Sequence, residues 1–156
     1  MQKGQNGASL LPLIIGVILV IAIIVFGAYL IFNEVEKKDI ENMDTNMLLI
    51  QAKARVIAEK NRVNKDENPL KGQLVEDNEF KQKVGVVEEE ILYIWDKTIL
   101  EEAGLTEVVL AEGAFYVVDY KEEVIYSEGY TTKEGNVLYK LSEISELLKE
   151  KNEEKE

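Results

Sequence analysis

LLPLIIGVILVIAIIVFGAYLIF, residues Leu10–Phe32, is the stretch from which the rest of the chain has to be read. It holds 23 residues and no charge. As a helix rising about 1.5 Å per residue it reaches roughly 34 Å, enough to cross a hydrocarbon core of about 30 Å. Pro12 falls in the first turn, where its missing N–H costs nothing, and Gly16 and Gly27 are tolerated in lipid because the backbone bonds stay within the helix. Residues 8–33 are therefore expected to form a transmembrane helix. A cleaved secretory signal is the competing reading, with Val20-Ile21-Ala22 and Val25-Phe26-Gly27 as small-residue sites. The apolar run continues to Phe32, beyond a signal core of about 7 to 15 residues, and favours a retained span.

The flanks suggest an orientation. Lys3 and the amino terminus precede the span, while Glu34, Glu36 and Asp39 offset Lys37 and Lys38 behind it, which points to a cytoplasmic N-terminus and an extracytoplasmic C-terminal part in the cell membrane. Of the 156 residues, Met1–Asn33 carry one charge, whereas the remaining 123 carry 17 basic and 30 acidic side chains. This acidic body argues against nucleic acid as a partner, and the charge-free span names the lipid bilayer as one. The chain has no Cys and no His, which removes disulfides, thiolate ligands, cysteine nucleophiles and the usual neutral-pH base. No catalytic residue, cofactor or metal ligand is expected.

Beyond the span a helical stripe continues. Ile40, Met43, Met47, Ile50, Ala54 and Ile57 follow one another at steps of three and four, with Leu48 and Leu49 widening the stripe, and neither Gly nor Pro interrupts Asn33–Asn68. Residues 34–63 are expected to be an amphipathic stem whose stripe packs on the C-terminal domain, a self-associating coiled coil being the alternative. Residues 64–90, polar and containing Pro69 and Gly72, are expected to connect. Residues 91–150 then change pattern. Ile91–Trp95 is β-prone, Asp96 suits the N-cap of a short helix over 97–103, and Gly104 is placed to end it. Val108–Leu110, Ala114–Tyr120, Val124–Tyr126 and Val137–Leu141 are short strand candidates at hairpin spacing. In Ala114–Tyr120, Tyr116, Val118 and Tyr120 share the face that can lie on the stem, and Asp119 looks outward. A helix from Ser142 frays into a charged tail over 151–156. The expected class is α+β: a long N-terminal helix packed on a small antiparallel sheet.

The order of these parts resembles the type IV pilin and pseudopilin family. A polar leader ending in Gly7, the small residues Ala8 and Ser9, an immediate span and an uninterrupted stem carry the likeness over Lys3–Ile57, and FYVVDYKEEVIYSEGY, Phe115–Tyr130, resembles the sheet region of pilin-like proteins of Gram-positive bacteria. The resemblance implies cleavage by a prepilin peptidase after Gly7, methylation of the new terminus Ala8, and assembly with other pilin-like subunits in a type IV pilus or type II secretion-type machine. Pro12 stands where the family places a glutamate, and the helix-kinking proline further along is absent, which points to a minor or atypical subunit.

Other side chains read as structural. Glu88-Glu89-Glu90, Glu101-Glu102, Glu122-Glu123 and Glu153-Glu154 lack the ligand spacing of a calcium loop and suit a solvated face. Ser127, Ser142 and Ser145 sit in no glycine-flanked nucleophile elbow, and Tyr93 and Trp95 suit a core. Tyr116, Tyr120, Tyr126, Tyr130 and Tyr139 form an aromatic face if exposed, which would mark a binding surface. Two function classes follow: a non-enzymatic pilin-like or pseudopilin-like subunit, and a single-pass anchored adaptor or receptor binding a protein or cell-wall ligand.

Overall fold

The computed structural model describes residues 10–153. The chain divides into two compact units, 1–39 and 40–156. The elements are α1 (Leu10–Val63), β1 (Gln73–Leu74), α2 (Asn78–Lys83), β2 (Tyr93–Trp95), α3 (Lys97–Glu102), β3 (Tyr116–Val118), β4 (Val124–Thr131), β5 (Val137–Lys140) and α4 (Leu141–Glu153). Residues 10–39 of α1 belong to the first unit, and its stem, 40–63, to the second.

The second unit is α+β. Its five strands form an antiparallel meander in the order β1-β2-β3-β4-β5, every neighbour in sequence being a neighbour in space. Tyr93 pairs with Val118, Val117 with Ile125, and Tyr130 with Leu138, with a register shift in the β4–β5 ladder between Ile125 and Tyr130. The period-two alternation sorts the strands onto two cores. Trp95, Tyr116, Val118, Tyr120 and Val124 face Ile40, Met47, Ile50, Ala54 and Ile57 of the stem, together with Leu100 of α3 and Leu141 and Ile144 of α4. Val117 and Ile125 point the other way, into a second core with Val75, Val84 and Leu92, against which Phe80, Ile94 and Tyr139 pack.

That second core corrects the expectation for residues 64–90. The segment contributes the edge strand β1 and the helix α2, which cover the sheet face opposite the stem. Asp77 caps α2 by accepting from the N–H of Glu79 at 2.9 Å and of Phe80 at 3.1 Å. Lys81 is buried, and its ammonium donates to the carbonyls of Glu88 and Glu90 at 2.6 and 2.8 Å, closing the loop that follows. Val108–Leu110 is not a strand: it pairs with none of the five, and the Val108 N–H turns back to the Leu105 carbonyl at 3.3 Å. β4 runs on to Thr131, five residues past the expected end at Tyr126.

Local signals behave as their chemistry dictates at α3 and α4. Asp96 accepts from the Ile99 N–H at 3.0 Å, and at the other end Leu105 donates to Leu100 and Gly104 to Glu101, the paired bonds that close a helix through a left-handed glycine, here with φ of 78°. Glu143, third in α4, reaches back to accept from the N–H groups of Tyr139 and Lys140 at 2.9 and 3.0 Å. α4 reaches Glu153, into the stretch expected to be a charged tail.

Candidate membrane anchor and stem interface

Along Ile15–Phe32 the helix presents Ile, Leu, Val and Phe on every side. Ile23, Ile31 and Phe32 are 70%, 64% and 65% exposed. An 18-residue window has a mean hydropathy of 3.0, and none of it is buried. Burying one such side chain is worth about 1.5 to 3 kcal/mol, so a helix apolar all round needs an apolar solvent or a protein wall. The segment is a candidate membrane span, long and apolar enough for contact with a lipid bilayer.

The stem has the opposite character. Ile40, Met47 and Ile50 are fully buried, Ala54 and Ile57 nearly so, and Met43 lies half-buried at the margin, where the Tyr116 hydroxyl donates to its sulfur at 3.9 Å. This stripe carries the main apolar contact with the sheet. Leu48 and Leu49 do not belong to it: at 44% and 39% exposure they face outward, because the buried stripe is narrower than the apolar residues of this segment. The stripe also holds a polar residue, Asp44, whose carboxylate accepts a hydrogen bond from the Ser145 hydroxyl of α4. Outside the stripe, the Arg55 guanidinium donates to the Lys121 carbonyl at 2.9 Å and the Gln51 amide to the Glu122 carbonyl, tying the 119–123 turn to the stem.

Tyr120 organises the middle of the domain. Its hydroxyl donates to the Lys71 carbonyl at 2.6 Å and accepts from the Lys71 N–H at 2.7 Å and the Trp95 indole N–H at 3.2 Å, which fills its hydrogen-bonding capacity. The ring meets Tyr93 and Trp95 edge-on, with centroids 5.1 and 5.9 Å away. The residue has a φ of 60°, uncommon for a large side chain. Asp119 beside it is half-buried, and its carboxylate accepts from the N–H groups of Lys121, Glu122 and Glu123. Burial, and the neighbouring Tyr126 after it, push the Tyr116 hydroxyl up to about 12. Tyr116 and Tyr120 are core residues, while Tyr126, Tyr130 and Tyr139 are half-buried, so the tyrosines do not make one exposed aromatic face.

The three serines are bound into the structure. Ser127 accepts from the Phe115 N–H at 3.0 Å, Ser142 donates to Glu123 at 2.8 Å, and Ser145 to Asp44. Among the described residues no three acidic side chains converge as a metal site would require. Gly7 and Ala8, the expected processing pair, lie outside the described residues. A groove of about 710 Å³ runs between the 87–91 loop and the 119–123 turn, floored by Leu70, Ile91 and Tyr93. Sequence reasoning passed over it, since its walls come from segments some thirty residues apart and its acidic runs look like any solvated surface.

No family model, no curated protein and no solved structure matches this chain.

Proposed function

We propose that the chain is a membrane-anchored, non-enzymatic pilin-like subunit of a type IV pilus or type II secretion-type assembly. The observation that carries the reading is the division of labour along α1: an apolar, uncovered run over Ile15–Phe32, and over 40–63 a stem whose single buried stripe packs on a five-stranded antiparallel sheet. Gly7 and Ala8 stand immediately before the span, at the place where a prepilin peptidase cuts. In this reading the N-terminus is cytoplasmic and the sheet domain extracytoplasmic. Pro12, standing where such subunits place a glutamate, makes this a minor subunit, since the carboxylate that sets register in a membrane is missing.

The test is the mass of the mature protein extracted from membranes. Cleavage gives a chain starting at Ala8, with or without a methyl group, and Gly7→Leu leaves a precursor heavier by the leader Met1–Gly7. Retention of the leader in cells with an active prepilin peptidase overturns the subunit reading. It would favour a permanently anchored adaptor, for which the groove over Ile91 and Tyr93 is the surface at hand.

A further inference from the structure

Both walls of the 710 Å³ groove are fixed from behind. On one side the buried Lys81 ammonium holds the carbonyls of Glu88 and Glu90 at 2.6 and 2.8 Å, and the Glu90 N–H closes on the Val87 carbonyl at 3.1 Å. The side chains of Val87, Glu89, Glu90 and Ile91 in that loop are exposed. On the other side the Asp119 carboxylate caps the N–H groups of Lys121, Glu122 and Glu123 at 2.8 to 3.0 Å, while Gln51 and Arg55 of the stem hold the carbonyls of Glu122 and Lys121. Tyr120, at the corner of that turn, keeps a left-handed φ of 60°, which a large side chain adopts only where its surroundings hold it there. The opening between the walls is thus part of the folded state, and an occupant need not order it first.

The lining combines two characters. Large apolar side chains exposed singly, such as Val63 and Val109, are ordinary on a protein surface. Val87 and Ile91 differ: they are 60% and 65% exposed and line one concavity together, beside half-buried Leu70 and Tyr93. The rim is acidic. Asp119 and Glu123 are used inside the chain, as the turn cap and the partner of Ser142, and Lys140 donates to the Gly85 carbonyl. Glu89, Glu90 and Glu122 stay exposed and enter no ion pair among the described residues, and of the basic lining residues Lys121 alone is exposed beside them. The volume lies within the roughly 300–1,000 Å³ of ligand pockets, room for a few residues of chain and not for a folded surface.

We propose that this groove docks a short basic segment of a different protein, seating one of its apolar side chains against Val87 and Ile91 and setting Lys or Arg side chains against Glu89, Glu90 and Glu122. Charge complementarity selects the occupant. A phosphate backbone is repelled by the rim, and a second copy of this chain, with a net charge of -12, approaches it against like charge. The apolar floor asks for more than charge, because a purely polar cation leaves Val87 and Ile91 in water. The inference goes beyond the subunit reading and stands whether or not the leader is removed, since every lining residue lies within the unit 40–156.

The experiment uses the full chain in phosphatidylcholine nanodiscs and three fluorescein-labelled hexapeptides, alternating Lys with Leu, Lys with Ser, and Glu with Leu. Binding is read as fluorescence anisotropy above that of empty nanodiscs. The Lys–Leu peptide should bind, less so as salt is raised, and the other two should bind about tenfold more weakly or worse. Glu89→Lys with Glu122→Lys, and separately Ile91→Ser, should each weaken the Lys–Leu peptide by about tenfold. Glu112→Lys with Glu134→Lys changes the net charge equally at exposed sites outside the groove and should leave binding unaltered. Thermal unfolding followed by Trp95 fluorescence shows that each variant is folded. Failure of the Lys–Leu peptide to bind, equal binding of the Lys–Ser peptide, or equal losses in the groove and control variants overturns the docking site. Displacement by spermine at the concentrations at which the unlabelled Lys–Leu peptide competes would make the groove a site for small polycations and overturn the peptide assignment. None of these outcomes bears on cleavage after Gly7, so the subunit reading stands or falls separately.

Discussion

The Tyr120 hydroxyl and the Lys71 backbone bond to each other in both directions, the hydroxyl donating to the carbonyl at 2.6 Å and accepting from the N–H at 2.7 Å. A single side chain thereby holds the long connection after the stem against the centre of the sheet, and it does so beside Trp95, whose indole shares the same oxygen. Tyr120→Phe keeps the ring and removes that oxygen, leaving a buried indole N–H and two backbone groups to find other partners. The loss should be about 1 to 3 kcal/mol, read from chemical denaturation in detergent with Trp95 fluorescence as the probe.

Truncation along the stem separates its two faces. Ile50→Ala opens a cavity in the main core and should cost about 2 to 5 kcal/mol, whereas Val56→Ala on the outer face should stay within about 0.5 kcal/mol for the isolated chain. Equal losses at both positions would mean that the outer face is covered in the sample measured.

Gly72 has no room for a side chain. Its φ is 94°, and a Cβ there would stand 2.4 Å from the Ile94 carbonyl oxygen, which is backbone of the neighbouring strand and cannot swing aside. Gly72→Ala should therefore destabilise by more than the roughly 1 kcal/mol that conformation alone costs, and should loosen the β1–β2 edge in amide hydrogen exchange.

Tyr116 links stability to alkaline pH. Burial raises its ionisation to about 12 from an ordinary value of 10.0, so the unfolded chain gives up this proton first. The contribution is complete below pH 10 and is lost as pH rises from 10 to 12. Tyr120 and Tyr126 shift upward as well, chiefly through burial, and act in the same sense. Tyr116→Phe should remove part of the alkaline loss of stability, read from denaturation midpoints measured between pH 9 and pH 12.

For the anchor, a charge in mid-span is the direct probe. Ile24→Lys should add about 2.5 to 3.5 kcal/mol to the cost of insertion and shift the chain from the membrane pellet to the alkaline-extracted fraction. A pellet fraction unchanged by this substitution would point to attachment by some other means.

Much of this protein is set by local pattern. The uncharged run Leu10–Phe32 identifies the candidate span because hydrophobic length is counted along the chain, and the spacing of Ile40, Met47, Ile50, Ala54 and Ile57 marks the buried stripe because helix geometry converts interval into face. Asp96 and Gly104 bound α3 through hydrogen bonds that span only a few residues. Tertiary structure decided what local pattern leaves open. Leu48 and Leu49 are as apolar as the stripe, yet only the width of the sheet surface determines that they stay outside it. The polar segment 64–90 has too few apolar residues to announce a core, and Val75, Phe80 and Val84 become one only when Val117 and Ile125 arrive from the sheet to meet them. Lys81 reads as a surface lysine until the 88–90 loop closes over it, and Tyr120 as one aromatic among several until Lys71 and Trp95 reach its hydroxyl. The groove between the 87–91 loop and the 119–123 turn arises in the same way: Glu89 and Glu122 come to line it through folding, and no interval in the sequence records it.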